Sequence, residues 1–118
     1  MPEFIQRRLT DDHVCVLTFD RPDSAANIFD KATLNELNNH ISYVLGTPNL
    51  KGVVLTSAKK SIFIAGADLT QMAKAQTPEE LRSLIELGQL VFNRLAALPI
   101  PTVAAIHGAC VGGGYELC

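Results

Sequence analysis

Two continuous apolar runs, Gly52-Val53-Val54-Leu55-Thr56-Ser57 and Thr102-Val103-Ala104-Ala105-Ile106, constrain the fold of this chain more than any other feature. Each has the length of a strand and lacks the strict alternation of a sheet with one wet face, so both read as strands buried on both sides. Strands of that kind belong to parallel sheets, and parallel neighbours need a long crossover between them. The intervening residues supply one. Thr77-Pro78-Glu79-Glu80 puts threonine at a helix cap, proline at the first helical position and glutamate at the third, which is a capping box. Leu81, Leu84, Ile85, Val91, Phe92, Leu95 and Leu98 then form a buried stripe, and Pro99 and Pro101 end the helix.

The first half repeats the alternation. Val14-Cys15-Val16-Leu17-Thr18-Phe19 is β-rich, and Phe4 to Leu9 can pair with it across the turn Thr10-Asp11-Asp12-His13. Asp20 to Asn27 reads as a loop. Asp30 caps a helix whose apolar positions Leu34, Leu37, Ile41, Val44 and Leu45 fall at helical spacing, with Gly46 and Pro48 at its end. Ile62-Phe63-Ile64 is a short strand leading into Ala65-Gly66-Ala67-Asp68, where Asp68 can cap a short helix containing Leu69 and Met72. The order is α/β with at least partly parallel strands. At 118 residues it fits one domain and is too short for two.

Composition removes several function classes. A net charge of -2 gives no electrostatic reason to expect nucleic acid or an anionic membrane. The basic pairs Arg7-Arg8 and Lys59-Lys60 form no stripe and read as solvated surface. The three cysteines, Cys15, Cys110 and Cys118, have no CxxC spacing, which favours a reduced protein over a disulfide-stapled one. No stretch approaches the roughly 20 apolar residues of a membrane span, and the N-terminal residues resemble neither a signal nor a transit peptide.

Two glycine-bearing turns follow apolar strands: Ala65-Gly66-Ala67-Asp68 and Gly108-Ala109-Cys110-Val111-Gly112-Gly113-Gly114. In α/β proteins ligands gather at the carboxyl ends of strands. A turn there can offer a free backbone N–H at a helix start, and two such donors converging would hold an oxyanion. Glu116 stands two residues beyond the glycines as an acid or base, although a solvated helix residue reads equally well from its own position. Nucleotide readings fail on spacing. A phosphate loop would need lysine at Gly114, and a dinucleotide fingerprint from Gly112 and Gly114 would need glycine or alanine at Leu117. No Gly-x-Ser-x-Gly elbow exists. His13, His40 and His107 share no metal-ligand spacing. His107 reads as a packed histidine, and Cys110 as a small apolar filler.

Phe63-Ile64-Ala65-Gly66-Ala67-Asp68-Leu69, with Pro101 to Leu117, resembles the enoyl-CoA hydratase/isomerase (crotonase) superfamily. Arg21-Pro22 before an alanine- and asparagine-bearing loop fits the same pattern, so the likeness covers almost the whole chain. It implies a crotonase-like ββα spiral of the ClpP/crotonase type, incomplete here, with residues 1–118 as the N-terminal portion of one domain truncated at its C-terminus. Carried over position by position, the backbone N–H groups of Ala67 and Gly113 form the oxyanion hole. Main chain around Ala25 and Ala65, with Gly66 and Asp68, contacts coenzyme A. Glu116 becomes the first of two catalytic glutamates, the second falling beyond Cys118.

The resemblance therefore implies an enoyl-CoA hydratase that adds water to 2-trans-enoyl-CoA in fatty-acid β-oxidation. Enoyl-CoA isomerisation, another crotonase-family reaction and an inactive acyl-CoA-binding fragment are the alternatives. No cofactor is expected, coenzyme A being part of the substrate, and no metal. The expected partners are the acyl-CoA thioester and, for the full-length protein, two further copies in a homotrimer or a multifunctional complex. The expected location is the cytoplasm, or a mitochondrion or peroxisome in a eukaryote. The 118 residues alone are expected to be inactive.

Overall fold

The turn Thr10–His13 folds the first strand onto the second, as its residues predict. Thr10 N–H donates to Val14 O at 2.9 Å, Thr10 Oγ1 accepts from Val14 N–H at 3.1 Å, and His13 takes the left-handed conformation that reverses the chain, φ 64°. The result is an antiparallel pair, β1 (Ile5–Leu9) and β2 (Val14–Phe19), running from Ile5 opposite Phe19 to Leu9 opposite Cys15. The computed structural model describes residues 4–21, 27, 30–59, 62–64, 77–106 and 108–110.

Helix α1 (Lys31–Leu45) starts after Asp30, whose backbone is extended and whose carboxylate accepts from Thr33 N–H at 2.8 Å. It ends at Gly46, whose N–H caps Ser42 O and Val44 O. Strand β3 (Gly52–Ser57) then lies parallel to β2, in register from Val14 opposite Gly52 to Phe19 opposite Ser57. After β4 (Ile62–Ile64) comes helix α2 (Pro78–Ala96), with Pro78 in its first turn and Thr77 Oγ1 accepting from Glu80 N–H at 3.1 Å. Strand β5 (Thr102–Ala104) pairs parallel to β3, and β6 (Ala109–Cys110) pairs parallel to β4.

The described strands sort into two sheets, β1-β2-β3-β5 and β4-β6. The chain thus advances in ββα steps, and from β3 onward each step adds one strand to either sheet in parallel. This is the order expected of an incomplete ββα spiral. One apolar cluster unites the layers. Ile5, Cys15, Leu17, Phe19, Val53 and Leu55 of the sheet meet Leu34, Leu37, Ile41 and Val44 of α1 and Val91 and Leu95 of α2.

Burial corrects the sequence reading in four places. In β2 and β3 every second residue is fully buried and its neighbours only half so. For β3, expected to be buried on both sides, one face therefore carries the core. Strand β5 is not a buried strand: Thr102 and Val103 are exposed, Val103 by 58%. Among the described strands it sits at the edge of its sheet, paired through three residues to β3. On α2 the face turned to the core runs through Leu84, Leu87, Val91 and Leu95, while Ile85 is exposed. Helix α1 sets that face, and Gly88 lies against Leu34, where an added Cβ would meet Leu34 Cδ1 at 3.9 Å. Leu45, at the last turn of α1, is also exposed.

Candidate active site

Strands β2, β3 and β5 run parallel, so their carboxyl ends share one edge of the larger sheet. Ligands collect at such an edge in α/β folds. Phe19 and Ser57 end level with one another, and beyond them side chains continue what the ladder began. Ala58 N–H donates to Phe19 O at 3.0 Å. The Asn27 amide donates to the same oxygen at 3.2 Å and to Ser57 Oγ at 2.7 Å, while its own oxygen accepts from Arg21 N–H at 3.0 Å. Ser57 Oγ also accepts from Lys59 N–H at 3.0 Å. A buried polar cluster is stable only when its members are satisfied, and among the described residues no buried side-chain nitrogen or oxygen lacks a partner.

Charge closes this edge from outside. Lys59 Nζ donates to Arg21 O at 2.6 Å and pairs with Asp20 at 2.9 Å. Lys59 is thereby tied down rather than solvated, contrary to the reading of the Lys59-Lys60 pair. Arg21 pairs with Asp30 at 2.8 Å, donates to Thr33 Oγ1 at 3.3 Å, and lies over the Phe4 ring at 4.7 Å. Burial by itself would raise the Asp30 carboxyl. The Arg21 hydrogen bond, the Thr33 amide and hydroxyl and the Arg21 charge outweigh it, so the pKa falls below the ordinary carboxylate value. Cys15 goes the other way: burial pushes its thiol up, against a smaller opposing pull from Arg7.

The second sheet delivers the glycine segments. Ile62 stands opposite Ala109 and Ile64 opposite Cys110, so Phe63 is an extra residue and the register slips there. Irregularities of this kind recur beside active sites, where they re-aim the chain. Ile64 immediately precedes Ala65, and Cys110 immediately precedes Val111. Both glycine segments therefore leave from the same end of one parallel pair. Just before β6, Gly108 turns the chain at φ 70°, a region open to glycine at little cost.

The residues assigned from sequence, namely Ala25, Ala65, Gly66, Ala67, Asp68, Gly113 and Glu116, lie outside the described residues, as do His107, Leu69 and Met72. The described strands set where the chain departs toward them. Asn27, Ser57, Lys59 and Asp20 were missed as site-edge residues. Ser57 carried one signal, a hydroxyl at the last inward position of an otherwise apolar run; Asn27 carried none beyond its place after a loop. Among the described residues no group of three or more His, Cys, Asp and Glu could hold a metal ion. No described helix is long and apolar enough to cross a membrane.

Comparison with known proteins agrees with this geometry. The fatty acid oxidation complex subunit alpha of Shewanella sp. (strain W3-18-1) is 41% identical over 107 residues, which are 91% of this chain and 15% of that protein. The same subunit of Shewanella halifaxensis is 40% identical over the same share of each. The chain thus spans about 15% of the length of the curated relatives it matches. Among solved structures, the enoyl-CoA hydratase of Bacillus anthracis superposes with a TM-score of 0.88 at 32% identity, covering 98% of this chain and 44% of the other. The Mycobacterium smegmatis enoyl-CoA hydratase also superposes at 0.88, with 25% identity and the same coverage. The fold is accordingly the crotonase fold, present here in part. A sequence model described as enoyl-CoA hydratase/isomerase matches residues 10–118, and the chain belongs to that family.

Proposed function

We propose that the protein carrying this chain hydrates 2-trans-enoyl-CoA to 3-hydroxyacyl-CoA in fatty-acid β-oxidation. The parallel pairing of Ile64 with Cys110 carries the reading, because it starts both glycine segments from one strand edge. On this reading the N–H groups of Ala67 and Gly113 bind the thioester oxygen, where negative charge develops as the enolate forms. Glu116 orients water for attack on the β-carbon. The oxygen of water joins the β-carbon, and one proton ends on the α-carbon. Dividing the proton-giving and proton-taking roles needs a second carboxylate, assigned to a position after Cys118. Coenzyme A is held by main chain at Ala25 and Ala65, with Gly66 and Asp68.

Residues 1–118 form the N-terminal portion of one hydratase domain in this proposal. Coverage of 44% of the Bacillus anthracis hydratase supports that division. The Shewanella relatives, named as fatty acid oxidation complex subunits, support a part in a larger complex; a homotrimer or a multifunctional complex, in the cytoplasm, is the proposed setting. The reaction uses no cofactor besides the coenzyme A of its substrate. The isolated 118 residues are expected to turn over no substrate.

Product analysis of the full gene product with 2-trans- and 3-enoyl-CoA tests the assignment. The expected product from the 2-trans substrate is the 3-hydroxyacyl thioester, lost in Glu116→Gln. Interconversion of the two double-bond isomers with no hydroxy product would replace the hydratase by an isomerase.

A further inference from the structure

We propose that His40 is a pH-sensitive clasp between α1 and the outer edge of β1, closed while its imidazole is neutral and opened by protonation. The clasp is independent of the hydration chemistry. Among the described strands β1 lies at the edge of the larger sheet, and an edge strand has backbone groups that no neighbouring strand takes up. Helix α1 supplies partners from side chains one and two turns apart on one face, Glu36, His40 and Tyr43. Ile5 N–H donates to Glu36 Oε2. Ile5 O lies 3.2 Å from His40 Nε2, and Arg7 Nη1 lies 3.0 Å from His40 Nδ1. The Arg7 guanidinium rests over the Tyr43 ring, 3.5 Å from its centroid.

Arginine can only donate, and a carbonyl can only accept. His40 Nδ1 therefore accepts from Arg7, and Nε2 carries the proton donated to Ile5 O. Both partners select the same neutral tautomer. A proton added at Nδ1 would meet an N–H donor and a fixed positive charge, so protonation removes the Arg7 bond. Glu36 is the acid on the same face of α1, one turn back, and its Oε2 is engaged by Ile5 N–H. From β2, the buried Cys15 thiol feels the Arg7 charge. Arg94 of α2 binds Asn38 and Ser42, on the opposite side of α1 from His40. Because the Arg7 bond needs a bare Nδ1, its contribution is present above about pH 6.5 and lost as pH falls below that value.

Amide hydrogen exchange of the full gene product, compared at about pH 7.5 and about pH 5.5 and corrected for the intrinsic rate, tests the clasp across the histidine range. Protection of the peptide from Phe4 to Thr10 is expected to fall by about three- to tenfold at the lower pH, the worth of one hydrogen bond. Protection of β3 should stay within about twofold, the mark of local rather than global opening. His40→Gln keeps a donor for Ile5 O and does not titrate, so its β1 peptide should change by less than about twofold between the two pH values. Arg7→Met keeps an apolar chain over Tyr43 without charge or donor, and it should flatten the pH response to the same extent. An unchanged β1 peptide in the parent protein would overturn the clasp. So would an equal loss in β3, or a full pH response in either folded variant.

Discussion

Ile64 and Cys110 stand opposite one another in a parallel pair, although α2 and β5 intervene between them along the chain. Each is the last strand residue before a segment bearing glycine. The relationship starts two glycine-bearing segments, distant in sequence, from a common strand edge.

If that edge is the catalytic one, Glu116→Gln in the full gene product should lower kcat for hydration by about 10²- to 10⁴-fold, the usual worth of a general acid or base. Binding of coenzyme A should change little. Steady-state kinetics beside direct binding measures both, and retained turnover in Glu116→Gln would remove the glutamate from the mechanism.

Gly108 turns the chain into β6 in the left-handed region. A Cβ at that conformation costs about 1–2 kcal/mol. Gly108→Ala should therefore destabilise the fold by about that amount in urea unfolding, and it should impair hydration beyond the stability loss by misdirecting β6. Unchanged stability would mean that the turn tolerates a side chain.

Asp30 has a depressed pKa in the folded state. A group of this kind adds stability at pH values above its unfolded pKa, about 3.9 for aspartate. That contribution disappears as pH falls through the lower folded value. Asparagine caps helices about as well as aspartate, so Asp30→Asn isolates the charge and its pairing with Arg21. The variant should be less stable than the parent at pH 7, and the gap should close as pH falls below about 4. A gap that stays constant with pH would separate the stability of this edge from the carboxylate.

The α1–α2 contact gives opposite signs at two positions. Gly88→Ala places a methyl in ordinary contact with Leu34 and removes a glycine from a helix interior. It should stabilise by up to about 1 kcal/mol. Leu37 is fully buried in the shared core, so Leu37→Ala should cost about 2–5 kcal/mol. Thermal and urea unfolding of the two variants measures both, and destabilisation by Gly88→Ala would show that the helices have no room to accept a side chain.

The local signals were legible because they are settled by near neighbours. The Asp30 cap, the Thr77-Pro78-Glu79-Glu80 start and the His13 turn each depend on residues a few positions away, and each holds. The exposure of β5 was not legible, since Val103 and Ala104 read the same in a central strand and at an edge. Ile85 and Leu87 are equally apolar and nearly adjacent; only the direction of α1 decides that the core takes Leu87. The Asn27–Ser57 bond spans two elements, and neither residue signals the other in sequence. The chemistry attached to the glycine turns was legible as types and spacing. Its neighbouring polar framework was not, because Lys59 and Asp20 acquire their roles only when β2 and β3 end level.

The pairing of β4 with β6 also orders the events of folding. β1, β2, α1 and β3 can collapse as soon as they exist, with modest loops to close. β4 has no partner in its own sheet until β6 arrives, after all of α2 and β5. Long-range parallel pairing is the slow kind, because loop closure must precede any reward from contact. A nascent chain halted after α2 would therefore hold β1, β2 and β3 of its first sheet and both described helices, with the edge that starts the two glycine segments still unassembled.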